Sequence, residues 1–161
     1  MRKLIGIALF VCLATFVGTA QETPKPEIFG GYQFTALDPS WHGQGWNGAA
    51  NMYFTHWLGV TGDFSGAYSQ GLSFTTYTGG PVVSMHKGQF SPFAHFLIGG
   101  AHASFSGVGN NGMAMMFGGG LDMGHKQFAV RLFQMDWLST RFDGFTDNNN
   151  VRVSTGVLLR F

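Results

Sequence analysis

The sequence predicts an all-β fold, an eight-stranded antiparallel up-and-down barrel preceded by a cleavable signal peptide, and three observations carry that prediction. Only 11% of the 161 residues are charged while 45% are hydrophobic, against roughly 25% charge in an ordinary soluble domain. The stretches after residue 26 alternate with a period of two, and none sustains the 3.6-residue period of a helix. Their connections also alternate: tight after every even stretch, glycine-bearing and mostly longer after every odd one. Composition excludes other classes as well. The chain is too apolar for disorder, and a net charge of +1 provides no basic footprint for nucleic acid. A mean hydropathy of +0.09 is too low for several helical spans, each of which needs about 20 apolar residues.

The first element is an address. Arg2 and Lys3 precede an apolar stretch from Leu4 to Val17, followed by Gly18-Thr19-Ala20 and a polar run from Gln21 to Pro26. A basic start, an apolar centre and small residues at the end make a secretory signal, expected to be cut after Ala20. Residues 1–20 are then the signal peptide, 21–26 a short periplasmic segment and 27–161 the barrel domain. Cys12 is the only cysteine and sits between Val11 and Leu13, without the small neighbours of a lipidation site. The mature chain therefore has no disulfide and no cysteine metal site.

The strands follow in order. Ile28 to Thr35 is the first and Trp46 to Phe54 the second. The third, Trp57 to Tyr68, sets Leu58, Val60, Phe64 and Tyr68 against Thr61, Asp63 and Ser65. Leu72 to Met85 and Phe90 to Ala103 are the fourth and fifth. The sixth, Met113 to Met123, sets Met115, Phe117 and Leu121 against Gly118, Gly120 and Asp122. In the seventh, Phe128 to Arg141, the apolar Phe128, Val130 and Leu132 share a parity with Gln134 and Asp136, which predicts a bulge between Arg131 and Gln134. The eighth, Val151 to Phe161, puts Val151, Val153, Thr155, Val157, Leu159 and Phe161 on one face and Arg152, Ser154, Gly156, Leu158 and Arg160 on the other.

The tight links are Thr55-His56, His86 to Gln89 and Gly124-His125-Lys126. The others are 36–45, 69–71, 104–112 and 142–150, three of them long. Several strands reach the 9–11 residues that cross a bilayer at a tilt. The polar faces carry Gly, Ser and Thr, which suit a narrow interior, and the bulky apolar faces suit lipid, so this is a transmembrane β-barrel. Aromatic residues fall near the two ends, with Phe54, Trp57, Phe90 and Phe161 beside the tight turns and Trp46, Tyr68, Trp137 and Phe142 near the longer loops. Two girdles at headgroup depth are expected from that placement.

Charge placement is the most informative chemistry. Arg131, Arg152 and Arg160 fall on the polar parity, as do Asp63 and Asp122. A charge facing lipid near the midplane costs about 2–4 kcal/mol, so these groups belong in the lumen, where they are expected to pair and plug it. Catalytic and metal signatures do not assemble. His56, His86 and His125 sit one per tight turn, His42 lies in the first loop, and His95 and His102 have opposite parities. His102-Ala103-Ser104 has the spacing of lipid A deacylases, but the next acid downstream, Asp122, lies at the far end of the neighbouring strand, and the only glutamates are Glu22 and Glu27. The stretch from Phe142 to Asn150 is rich in side-chain oxygens but lacks the spacing and final glutamate of an EF-hand. No catalytic residue, cofactor or metal is expected.

The eight strands, the exported precursor and the ending Val151-Arg152-Val153-Ser154-Thr155-Gly156-Val157-Leu158-Leu159-Arg160-Phe161 resemble the small outer-membrane β-barrel proteins, the OmpA/OmpX-like group. Glu27-Ile28-Phe29-Gly30-Gly31-Tyr32 and Phe117-Gly118-Gly119-Gly120-Leu121-Asp122 are similar to the glycine-rich strands of its porin-like bacterial members. The resemblance implies a structural or porin-like outer-membrane protein with a small or plugged polar lumen, monomeric and surrounded by outer-membrane lipids and lipopolysaccharide. It implies that Phe161 is read by the barrel-assembly machinery, and that loops 36–45, 104–112 and 142–150 are free to meet a surface ligand. Two other readings stand beside it, a lipid A deacylase-like enzyme and a soluble lipocalin-like binding barrel. The larger aromatic face and sparse arginine-bearing face argue against the second.

Overall fold

Alternating stretches separated by turn residues have one way to satisfy every backbone group without an edge, which is to close on themselves. The computed structural model describes residues 25–37, 41–69, 71–85, 88–105, 108–125, 127–142 and 145–161; the expected signal peptide lies outside them. The strands are β1 (Lys25–Leu37), β2 (Trp41–Tyr53), β3 (Leu58–Ser69), β4 (Leu72–Ser84), β5 (Phe90–Phe105), β6 (Val108–His125), β7 (Phe128–Phe142) and β8 (Phe145–Arg160). Each pairs antiparallel with its sequence neighbours, and β1 closes on β8 in one barrel. Past the end of β8, Phe161 N donates to Pro26 O at 3.0 Å.

Two expectations about boundaries are corrected. Lys25 and Pro26, assigned to the segment before the barrel, are already in β1. The stretches 36–45, 104–112 and 142–150 are largely strand: their hairpin ladders run on to Leu37↔Trp41, Phe105↔Val108 and Phe142↔Phe145. Cross-strand pairing supplies hydrogen bonds that glycine- and asparagine-rich composition does not advertise. The β3–β4 hairpin is short, as the sequence suggests, and Gly71 takes φ +80, where a Cβ would be strained.

The anticipated irregularity in β7 is present. On β6, Leu121 faces Phe133 and Asp122 faces Arg131, while on β8 the register steps from Arg131↔Gly156 to Gln134↔Ser154. Leu132 and Phe133 therefore both point outward, and Thr155 Oγ1 donates to the Arg131 carbonyl at 2.8 Å. This bulge keeps Arg131 before it, and Gln134 and Asp136 after it, all inside. A regular strand continuing from Arg131 would turn Asp136 outward.

The outer wall is apolar over most of its height, with Val60, Phe64, Ile98, Phe117, Leu132, Met135 and Val157 among its exposed residues. Phe54, Trp57, Phe90 and Phe161 are exposed beside the turn end; Tyr68 and Trp137 are exposed towards the hairpin end, with Trp46 and Tyr32. Inside, the lumen is layered. One apolar cluster (Phe74, Leu97, Ala101, Ala114, Met116, Leu138) fills its hairpin half, with Trp41, Leu37 and Phe142 packed against it. Smaller groups, Phe29 with Ala129 and Leu158, and Tyr53 with Val82 and Phe93, lie towards the turns. Polar side chains occupy the middle of the lumen as expected from their parity, and apolar layers that the sequence reading did not anticipate lie on either side of them.

Candidate functional site

The polar layer is built around Arg152 on β8, whose side chain is 1% exposed. Inward parity on a strand that pairs regularly with β1 from Val151 to Arg160 aims it across the barrel. Its Nη1 donates to Asp63 Oδ1 at 2.6 Å and to Ser65 Oγ at 3.2 Å, and its Nη2 donates to Asp63 Oδ2 at 3.1 Å. The same guanidinium reaches β7, where Nε and Nη2 donate to Asp136 Oδ2 at 2.8 and 2.6 Å. One cation is thus shared between carboxylates on β3 and β7, which ties opposite parts of the wall together.

Each carboxylate has further partners. Asp63 accepts from Asn47 Nδ2 at 2.9 Å. Asp136 Oδ1 lies 2.7 Å from His95 Nε2, and its Oδ2 accepts from Gln134 Nε2 at 2.7 Å. Gln134 Oε1 in turn accepts from Arg131 Nη1 at 2.6 Å, and Arg131 makes a two-pronged pair with Asp122, Nε to Oδ1 at 2.7 Å and Nη2 to Oδ2 at 3.1 Å. The planar Arg131 guanidinium also lies between two phenyl faces, 4.0 Å from the Phe93 centroid and 4.3 Å from that of Phe29, a geometry that attracts a cation to the ring quadrupoles. A continuous polar network therefore runs from Asp122 through Arg131, Gln134, Asp136 and Arg152 to Asp63 and Asn47.

Of the five charged residues read from sequence, four join this network in two pairs. The fifth, Arg160, lies nearer the turn end, where its Nε donates to Glu27 Oε1 at 2.8 Å and Asn51 Nδ2 reaches the other Glu27 oxygen at 3.3 Å. The reading from sequence missed Asp136, His95, Gln134 and Glu27. Asp136 and Gln134 carried a signal, because the bulge that corrects the parity of β7 brings both inward. His95 shares a parity with Phe93 and Leu97, and its inward aim shows only once the barrel closes. On the β8–β1–β2 wall, Gln33 Oε1, Thr35 Oγ1, Ser154 Oγ and Asn47 Oδ1 are buried without a hydrogen-bond partner among the described residues.

No triad forms around His102 among the described residues. Its ring lies on the outer face, with Nδ1 2.8 Å from Asn111 Oδ1, an amide in the position where a hydrolase places its acid. Of the turn histidines, His56 is exposed in the β2–β3 turn, while His86 and the side chain of His125 lie outside the described residues. No group of three or more metal-ligating side chains converges among the described residues. The arrangement can resist flow: two guanidiniums, three carboxylates and their amide partners fill the middle of the lumen, and an apolar layer covers them.

No protein-family model and no curated protein matches the chain. Solved structures do share its fold. Ail, the attachment invasion locus protein of Yersinia pestis, is 19% identical, with 87% of this chain and 100% of that one covered at a TM-score of 0.59. Neisserial surface protein A is 11% identical over 86% of this chain and 97% of its own, TM-score 0.60. The N-terminal β-barrel domain of Pseudomonas aeruginosa OprF is 12% identical over 86% of this chain and 100% of its own, also at 0.60. The fold is thus that of the small eight-stranded outer-membrane barrels.

Proposed function

We propose that the chain is an integral outer-membrane β-barrel protein, a structural anchor that displays rigid hairpins and holds its lumen closed. The observation that carries this reading is the reversal of facing: exposed apolar side chains cover the outside while arginines and carboxylates fill the inside. The rise supports it. From Trp57 to Tyr68, at about 3.3 Å per residue and a tilt near 40°, the two aromatic levels stand ~28 Å apart, close to the apolar band of about 25 Å in such barrels. The turn end then faces the periplasm and the hairpins face outward. Phe161 would serve as the assembly signal, and outer-membrane lipids and lipopolysaccharide would surround a monomer.

The lumen argues against a general diffusion pore and against an internal active site. Eight strands leave an interior that side chains can fill, and here they do. A surface that takes polyanions by clustered cations is not what the described hairpin ends offer, since Arg141 and Asp147 are their charged residues with described side chains. Contacts there would use Asn110, Asn111, Asn148 and neighbouring apolar groups. The test is fractionation with electrophysiology. The protein is expected in the outer-membrane fraction, released by detergent, with a gel mobility that changes on boiling and with no large-conductance channel in planar bilayers. Release into buffer without detergent overturns the membrane reading, and a steady large conductance overturns the closed lumen.

A further inference from the structure

Most outward positions between the aromatic levels carry bulky side chains, but across β5–β8 the wall is hollowed. A groove of about 460 Å³ has Ala94 and Gly119 as its floor and Phe117, Met135, Trp137 and Val151 along its sides. Phe117 and Trp137 are direct cross-strand partners and are 61% and 57% exposed, so they stand up as walls while the floor offers no side chain beyond a methyl group. The lining is nearly all apolar and lies between the two girdles, where water cannot fill it.

A second observation lies above the groove on the same strand. Arg141 is four residues beyond Trp137 and shares its outward face, about 13 Å along the strand. Arg131, Arg152 and Arg160 all point inward to carboxylates, whereas the exposed Arg141 makes no hydrogen bond or ion pair among the described residues. An unpaired guanidinium just beyond an interfacial tryptophan stands at headgroup height, where its fork matches a phosphate. An apolar slot with one cation at its outer end fits an acyl chain joined to a phosphorylated head.

We propose that this wall docks one lipid A molecule of the outer leaflet, an acyl chain lying in the groove of Ala94 and Gly119 and a phosphate held by Arg141. The leaflet follows from Arg141 being at the hairpin end, so the inference rests on the membrane reading above.

The experiment is native mass spectrometry of the detergent-extracted barrel, exchanged into micelles with equal amounts of lipid A and phosphatidylglycerol. The wild type is expected to retain one lipid A. Arg141→Gln, which removes a charge-assisted contact, should lower the bound fraction about tenfold. Ala94→Leu should lower it by filling the slot. Phe64→Leu, on β3 away from the groove, should leave it unchanged, with all variants checked for folding by heat-modifiable mobility. Equal retention in Arg141→Gln and wild type, or preferential retention of phosphatidylglycerol, overturns the proposal. A barrel that needs detergent yet retains no lipid overturns it alone, whereas solubility in buffer overturns the membrane reading too.

Discussion

Replacing Arg152 by methionine tests the lumen most directly. The substitution keeps a long, flexible side chain but removes five hydrogen bonds at 2.6–3.2 Å, four of them to the carboxylates of Asp63 and Asp136. Asp63 would keep Asn47, and Asp136 would keep His95 and Gln134, so neither carboxylate is stripped, but both lose their shared cation. With Arg152 1% and Asp136 0% exposed at the side chain, solvent screening is small. Breaking a buried pair from one side costs about 3–5 kcal/mol, and that is the expected loss in equilibrium urea unfolding of the barrel in lipid vesicles, read by tryptophan fluorescence.

A companion variant separates the pair's net worth from the penalty of breaking it. Asp63→Leu with Arg152→Met and Asp136→Leu leaves no uncompensated charge in that layer, and apolar replacement of a buried ion cluster is often neutral or stabilising. The triple variant should recover most of the loss. A change below about 1 kcal/mol in Arg152→Met, the scale of an exposed ion pair, would refute the argument that these charges are dry and mutually dependent. So would a triple variant as unstable as the single one.

Three further outcomes are expected. A Cβ at Gly118 would stand 2.1 Å from Asp136 Oδ1 and 2.4 Å from the Met135 carbonyl, whereas at Gly62 it would meet nothing within 4 Å; Gly118→Ala should cost about 1–3 kcal/mol of unfolding free energy and Gly62→Ala less than about 0.5. Deleting Leu132 removes the bulge but leaves Phe133 out and Gln134 and Asp136 in, so the heat-modifiable folded form should survive. Deleting Met135 turns Asp136 to lipid and should abolish that form; equal behaviour of the two deletions would contradict the parity argument. Phe93→Leu removes the nearer of the two rings over Arg131 and should cost about 0.5–2 kcal/mol in the same urea assay, with no loss showing that the guanidinium is held by Asp122 and Gln134 alone.

How much of this could be read from the sequence depends on whether the signal is local. Face assignment is local, because a period of two needs only neighbours along the chain, and so Asp63, Asp122, Arg131, Arg152 and Arg160 could all be placed inside. The bulge in β7 was legible for the same reason, as a break in parity between Arg131 and Gln134. Partner choice is not local. Which carboxylates Arg152 reaches depends on the hairpin register that sets it opposite Asp136 on β7 and on the barrel closure that brings Asp63 on β3 across the lumen, and parity alone fixes neither. Hairpin length was hidden too. Runs such as Gly109-Asn110-Asn111-Gly112 have turn-like composition, and only their pairing with Ala101 to Ser104 makes them strand.

The length of those hairpins explains why the lumen is layered. On the proposed membrane reading the outer face must be apolar within the lipid band, and the interior takes the charges. Beyond Trp46, Tyr68 and Trp137 the outside meets headgroups and then water, so polar side chains return to it: Gln44, His102, Asn111, Ser139 and Arg141 lie outward, while Phe74, Ala101, Ala114 and Leu138 are buried inside. The apolar cluster at the hairpin end is the ordinary core of the part that stands in solvent, and it stabilises that part as any core does. Closure of the lumen then follows from two independent requirements, burial of apolar side chains above the membrane and mutual neutralisation of charges within it. Because each is met by a different set of residues, neutralising the charged layer alone should leave the barrel closed. The Asp63→Leu, Arg152→Met and Asp136→Leu triple variant is therefore expected to show no larger conductance than the unmodified protein in the same planar bilayers, and an open channel in it would show that the apolar layer is no seal.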